Sequence, residues 1–289
     1  MLIRHANAVR EVIGLLPAAG QAKRISPLPT SKELFPIGFQ EVAGMGLRPK
    51  VVCQYLLEKM AIAGIQKVFV LLRPGKWDIP AYLESGAQLD LNLAYLVVQH
   101  LQSVAHTLDH AYPFVRDAII ATGFPDILFQ PDDAYKHLIR RLHTCQADVV
   151  LGVVPFDQPH KGGMVAIDES GRVFQVIEKP LQSELRHSWF IAVWAPVFTE
   201  FLHQYLIKLD HQAQQSPSPQ SPSSQSPSPQ SPRPQQELPL GDVIQAAIAH
   251  NMRVEAVVFP TGSYLDIGTP ADLVRAVHHF SHWPNSAIP

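Results

Sequence analysis

The residues of this chain that could do chemistry sit where apolar runs end. Val12 to Leu16 form an apolar run of strand length, and Pro17, Ala18, Ala19 and Gly20 then turn the chain with almost no side-chain bulk. Small residues let a backbone approach a ligand closely, and glycine opens dihedrals closed to other residues. Arg24 and Lys32 follow on a loop restricted by Pro27, Pro29 and Pro36. The amides of such a turn bind anionic oxygens and two spaced cations neutralise charge, so the stretch reads as a grip for a polyphosphate. It reads equally as a surface loop, because it lacks both the P-loop pattern and the dinucleotide G-x-G-x-x-G. Asp126, in Gly123-Phe124-Pro125-Asp126, follows another apolar run, where a carboxylate suits a metal or a turn. Gln99 ends a further run with an amide able to pair with a base edge. Glu178-Lys179-Pro180 closes a strand and is, alone, an ordinary solvated edge. Asp266 lies in Leu265-Asp266-Ile267-Gly268-Thr269-Pro270, where Thr269 or Gly268 can cap a helix opened by Pro270.

The elements that must position these groups alternate. Strand-like runs fall at Val12–Leu16, Lys67–Leu72, Leu93–Val98, Asp117–Thr122 and Asp148–Val154. Between them, helical patterns follow Pro49 up to Gly64, then cover Asp78–Ser85, Ser103–Tyr112 and Asp132–Gln146. Ser103 is a candidate N-cap, and Asp132 and Asp133 read as helix caps. Continuous apolar strands alternating with helices predict a mostly parallel sheet covered on both faces. Ligands of such sheets bind outside the carboxyl ends of the strands, where the loops at Gly20, Gln99 and Gly123 should converge. Beyond Val154 the texture changes. Met164–Ile167 and Val173–Ile177 flank a hairpin signal at Asp168–Gly171, and Trp189–Trp194 and Arg253–Phe259 read as strands. Pro196–Leu209, Leu240–His250 and Pro270–His279 read as helices, with Asp242 as an N-cap. Residues 211–236 are Ser/Pro/Gln-rich and cannot bury enough apolar surface to order themselves, so they read as a disordered insert.

These segments together resemble the sugar-1-phosphate nucleotidyltransferases (NDP-sugar pyrophosphorylases). AAGQAKR is similar to that family's G-x-G-T-R loop with the second glycine and the threonine lost, and SKELFPI is similar to its Pro-Lys segment. GFPD stands at the family's Gly-Asp-Asn with a two-residue insertion. Glu178-Lys179-Pro180 resembles its E-K-P motif, and LDIGTP its W-x-D-x-G-T-P. The matches come in family order from Val12 to about Ala276. The resemblance implies an α/β fold, a Rossmann-like, mostly parallel sheet flanked by helices with a smaller hairpin-containing sugar-binding region. It implies one domain, 1–289, with a nucleotide-binding half at 11–156 and a sugar-binding, metal-completing half at 157–210 and 237–280. It implies transfer of a nucleotidyl group from a nucleoside triphosphate to a sugar 1-phosphate, with Mg²⁺ held by Asp126 and Asp266. Arg24 would then stabilise the triphosphate and Lys32 the transferred phosphoryl group. Lys179 would orient the attacking phosphate, Glu178 and Gly163 meet the sugar, and Ala18, Ala19, Gly20 and Gln99 meet the nucleotide. Such transfer needs positioning and charge neutralisation rather than a side-chain nucleophile, and no Ser/His/Asp constellation is evident. The altered loop keeps a rival reading open: a sugar-nucleotide sensor or partner subunit on the same fold. A glycosyltransferase would show a D-x-D motif, which Asp157 lacks.

Composition narrows the partners. With 289 residues, 46% hydrophobic and 17% charged, and a net charge of -2, the chain can build a sizeable core and offers no bulk field for nucleic acid or membrane surfaces. Two isolated cysteines, Cys53 and Cys145, read as buried thiols rather than a disulfide framework, and His278, His279 and His282 lack a second cluster for a metal. His106 reads as a helix-surface histidine. No run is long enough to cross a bilayer, so a soluble, cytoplasmic protein is expected, with self-association left open.

Overall fold

The computed structural model of the protein describes residues 10–42, 44–99, 102–215 and 238–280. In chain order the elements are β1 (Val12–Pro17), a 3₁₀ turn at Lys32–Leu34, β2 (Pro36–Val42), β3 (Gly46–Val51), α1 (Val52–Ile62), β4 (Lys67–Leu72), α2 (Asp78–Leu83) and β5 (Asn92–Val97). There follow α3 (Val104–Asp109), α4 (Tyr112–Val115), β6 (Ile119–Gly123), β7 (Ile127–Gln130), α5 (Ala134–Cys145), β8 (Val149–Pro155), β9 (Gly163–Ile167) and β10 (Val173–Glu178). The chain continues through β11 (His187–Trp194), α6 (Pro196–Gln215), α7 (Leu240–Ala249), β12 (Val254–Val258), β13 (Ser263–Asp266) and α8 (Pro270–Phe280).

The central sheet runs β12-β8-β11-β6-β1-β4-β5. Within it β6, β1, β4 and β5 are parallel, β12 is parallel to β8, and β11 lies antiparallel to both β6 and β8. The expected mostly parallel α/β sheet is therefore present, made mixed by one strand. Side chains alternate between two helix layers as a pleated strand requires. Leu16, Val70 and Val150 join α1 and α5 in one core, while Ile13, Leu15 and Leu151 join α3, α6 and α7 in the other. The α1 layer presses so closely on β1 that a side chain at Gly14 would come within 2.9 Å of Met60 Sδ and Val68 Cγ2.

β11 also divides the sheet. Ile191–Trp194 pair with β6, whereas His187–Trp189 pair with β9, the first strand of the β9–β10 hairpin. A register shift between Trp189 and Ile191 marks the point of divergence. A fork thus opens beyond Gly123, the last residue of β6.

Two small antiparallel pairs, β2–β3 and β7–β13, escape a reading by pattern because each is short or broken by proline. The helix expected over Ser103–Tyr112 divides into α3 and α4, and Ser103 caps α3 by accepting from His106 N at 3.3 Å. His106 is half-buried between Ser103 and Asp210 rather than on the surface. Neither aspartate caps α5: Asp133 occupies the N-cap position without a side-chain capping bond, its carboxylate on His137, and Asp132 pairs with Lys59. Asp242 stands inside the first turn of α7, behind Pro239 at the N-cap, so it favours the helix dipole without capping. α6 runs to Gln215, because Gln212, Ala213, Gln214 and Gln215 are competent helix formers. The first five residues of the expected insert are therefore helical, and 216–236 lie outside the described residues. Cys53 is buried as expected, and Cys145 is partly exposed at the end of α5.

The Tyr135 hydroxyl is fully buried and, among the described residues, has no hydrogen-bond partner. An unsatisfied buried hydroxyl carries its full desolvation cost. Tyr135→Phe keeps the ring packed on Phe129 and should raise unfolding stability by about 1 kcal/mol in urea denaturation. A loss of stability would show that the hydroxyl is satisfied.

Candidate functional site

The site is built where the carboxyl ends of β1, β4 and β6 meet the small β7–β13 pair. β13 pairs with β7 so that Asp266 lies opposite Ile127, and Ile267 N donates to the Asp126 carbonyl at 2.9 Å. Two carboxylates far apart in sequence are thereby placed side by side. Burial, and then the Asp126 charge, push the Asp266 carboxyl up to about 6, against the opposing pull of Lys32, Arg24 and Lys179. Lys32 projects from the 3₁₀ turn and forms an ion pair with Asp126. Burial opposes the Lys32 charge, but the Asp126 carboxylate outweighs it, and the lysine pKa lies above its ordinary value. The Arg24 guanidinium passes over Gly268, where a side chain would come within 2.7 Å of it and 3.4 Å of Asp266 Oδ1.

The β1 loop departs in part from the expected amide cradle. Ala18 N is spent on the Leu71 carbonyl at 2.9 Å, so it continues the sheet instead of facing a ligand. Ala18 and Ala19 are buried, and Gly20 is exposed at the head of the loop. Ala22 adopts φ 53°, the left-handed region that glycine favours. Asp78 fixes the next stretch: its carboxylate accepts from Thr30 Oγ1 (2.8 Å), Ser31 N (2.6 Å) and Ser31 Oγ (2.7 Å). Burial of Asp78 opposes its charge, and these donors prevail, holding its pKa below the ordinary value. Lys76 binds both oxygens of buried Glu33, at 2.7 and 2.8 Å, behind the Lys32 turn. Gln99 lies exposed two residues beyond β5.

The second group converges at the fork. β9 and β10 pair Gly163 with Glu178, and Trp189 Nε1 donates to Glu178 Oε1 at 3.0 Å. Glu178 occupies a slot between two glycines. A side chain on Gly241 would overlap Glu178 Oε1, and one on Gly163 would overlap Trp189 Nε1 and stand 2.7 Å from Glu178 Oε1. Burial raises the Glu178 pKa despite the Trp189 bond and the Lys179 charge. Lys179 itself is exposed and left-handed, at φ 44°, with its amide tied to the Gly162 carbonyl at 3.0 Å.

Sequence reasoning missed Arg73, Lys76 and Asp78, although all follow β4, whose carboxyl end shares the ligand rim. It also missed Trp189 as the group that orients Glu178. Among the described residues no group of three or more His, Cys, Asp or Glu side chains gathers to hold a metal. Two adjacent carboxylates, one with its pKa raised by the other, fit Mg²⁺, which takes one or two carboxylates and completes its shell with water and phosphate oxygens.

The chain belongs to the nucleotidyl transferase family, whose model matches residues 13–220. It is 22% identical over 267 residues to the low-salt glycan biosynthesis nucleotidyltransferase of Haloferax volcanii, covering 91% of this chain and 64% of that protein. The chain thus spans less than two thirds of that relative's length. A glucose-1-phosphate thymidylyltransferase of an Actinoplanes species is 24% identical over 270 residues, covering 92% of this chain and 77% of that one. The fold is shared with a Bacillus anthracis structure described as a glucose-1-phosphate thymidylyltransferase (TM-score 0.73, 17% identity, 96% and 98% of the two chains). It is shared as well with a UDP-glucose pyrophosphorylase complexed with UDP-glucose (TM-score 0.70, 16% identity, 94% and 98%). No helix among the described residues is long and apolar enough to cross a membrane.

Two substitutions probe this geometry. Ala22→Gly removes the left-handed strain and should stabilise the fold by about 1 kcal/mol in thermal or urea unfolding; destabilisation would mean the loop does not hold φ 53° in solution. Gly163→Ala forces Trp189 and Glu178 apart and should cost roughly 1–3 kcal/mol of stability. The same variant should raise the indole exposure seen in tryptophan fluorescence, and an unchanged spectrum would count against the slot.

Proposed function

We propose that the protein joins a nucleoside triphosphate and a sugar 1-phosphate into a nucleotide sugar, releasing pyrophosphate. The observation that carries this reading is the convergence of Lys32, Asp126 and Asp266 from three separate segments at the carboxyl ends of the central strands. A phosphate oxygen of the sugar 1-phosphate attacks the α-phosphorus of the triphosphate, and the bond to pyrophosphate breaks. Asp126 and Asp266 hold Mg²⁺, which neutralises phosphate charge when bound. Lys32 moves its charge from Asp126 toward the transferred phosphoryl group, and Arg24 faces the triphosphate from the Gly268 side. Lys179, held at the mouth of the fork by its amide bond to Gly162, meets the attacking phosphate. Glu178, fixed by Trp189, accepts from sugar hydroxyls, and Gly163 leaves room for the Trp189–Glu178 pair beside the sugar. Relatives that are glucose-1-phosphate thymidylyltransferases and a glucose-1-phosphate uridylyltransferase favour a thymidine or uridine nucleotide with glucose 1-phosphate.

Pyrophosphate release measured with Mg²⁺ across the nucleoside triphosphates and a panel of sugar 1-phosphates should depend on one pair. Lys32→Ala should lower turnover about a hundredfold, a far larger effect than the fold's loss of the Lys32–Asp126 pair. Near-normal turnover would remove Lys32 from the mechanism. Nucleotide binding with no release for any pair would transfer the assignment to a non-catalytic sensor on the same fold.

A further inference from the structure

A half-buried tyrosine joins the two halves of the site. Tyr264 stands two residues before Asp266 on β13, and side chains two apart share one face of a strand. Its ring stacks on Phe156, with centroids 4.8 Å apart, and on Phe190 at 5.9 Å. At the end of that ring the hydroxyl lies 2.9 Å from Ser188 Oγ. Ser188 is fully buried on β11, and its Oγ lies 3.1 Å from the Gly163 carbonyl and 3.4 Å from the Trp189 carbonyl. Carbonyls only accept, so the single Ser188 hydrogen goes to them and Tyr264 is the donor of the hydroxyl pair. Burial pushes the Tyr264 phenol pKa above its ordinary value, which keeps that proton in place at neutral pH. Gly162 packs directly on the bridge: a side chain there would overlap both Ser188 Oγ and the Tyr264 hydroxyl.

The far side of the bridge is the fork. Gly163 pairs with Glu178 across β9 and β10, and the Lys179 amide donates to the Gly162 carbonyl at 3.0 Å. The connection therefore runs from Asp266 through Tyr264, Ser188 and Gly163 to Glu178. A second tie between the same parts, Lys161 to Asp272 at 3.7 Å, is exposed at the lysine and screened by water. We propose that Tyr264 is a positioning residue, whose hydroxyl acts through Ser188 to hold the fork at a set distance from the Asp126–Asp266 pair. The role rests on the nucleotidyl-transfer reading, in which the attacking phosphate sits at the fork and the α-phosphorus at the carboxylates. Transfer then depends on the reach between two binding places on separate segments, and a misplacement of about 1 Å can cost roughly a hundredfold in rate. The W-x-D-x-G-T-P pattern that this segment resembles has tryptophan where Tyr264 stands, so the hydroxyl bridge is this chain's own.

Tyr264→Phe keeps the stacked ring, removes the bridge and leaves Ser188 bonded to Gly163, so the variant should fold. Its kcat for pyrophosphate release should fall about tenfold, with KM for the triphosphate and for the sugar 1-phosphate unchanged, because each binding place stays intact. Ser188→Ala breaks the same bridge from its other end and should lower kcat similarly. The double variant should be no slower than the slower single one, since both remove one connection. An unchanged kcat in Tyr264→Phe overturns the proposal, as do a raised KM for either substrate and losses that multiply in the double variant. Amide hydrogen exchange, read without substrates, follows the bridge itself. In Tyr264→Phe the amides of Met164 and Lys179 should exchange at least tenfold faster than in the wild type, and unchanged protection overturns the proposal. Turnover separates the two readings. Wild-type release from one substrate pair that is indifferent to Tyr264 removes the positioning role and keeps the reaction. No release by the wild type for any pair removes the reaction, and the positioning role falls with it.

Discussion

Asp126 and Asp266 are held beside each other although like charges in a buried site repel, and much of the surrounding structure compensates for that placement. The backbone enforces the placement through the β7–β13 pair and the Ile267–Asp126 bond. Beneath the pair lies a small apolar cluster of Ile25, Ile37, Val52, Leu128 and Ile267, which joins the β1 loop, β2, α1, β7 and the end of β13. Burial of these side chains supplies free energy, at about 25 cal/mol per Å² of apolar surface, that does not depend on the charges above them. The repulsion is offset by Lys32, Arg24 and Lys179, which arrive from two other parts of the chain. Folding therefore loads the site with charge, and the charge is not what folds the protein.

The second constraint is the division of β11. One strand serves β6 with its second half and β9 with its first, so the sheet cannot stay closed beyond Gly123. Space opens there without a cavity having to be carved from the core. Glycines at 163 and 241 then let Glu178 lie flat against the hairpin and α7, within reach of the Trp189 indole. A carboxylate so enclosed loses rotamer freedom on folding rather than on binding, which is how a fixed acceptor gains affinity.

The legible parts of the sequence were those written in long periods. β1, β4, β6 and β8 are apolar runs buried on both faces, and their order gave the sheet and the rim on which the site stands. Asp126, Lys32 and Asp266 were legible through family spacing, and the structure brings these three together. What stayed hidden was local. β7 and β13 are four residues each, too short for any periodicity, yet their pairing is what joins the carboxylates. The roles of Trp189 and Asp78 depend on partners 11 and 47 residues away, which no spacing rule reveals. The use of the Ala18 amide was hidden as well, since it completes the sheet on the Leu71 carbonyl.

Charge balance also explains how the site survives without its ligands. Lys32 and Lys76 each rest on a carboxylate, and Glu33, with about one hundredth of its surface exposed, would be costly to leave unpaired. These pairs form in the folded chain, so the desolvation of their charges is met during folding. Among the described residues Arg24 and Arg73 stand without such partners, and the guanidinium suits that state because it is weakly hydrated and keeps its charge at any physiological pH. Lys76 thus holds the shape of the site, and the arginines without such partners keep their full charge at its rim.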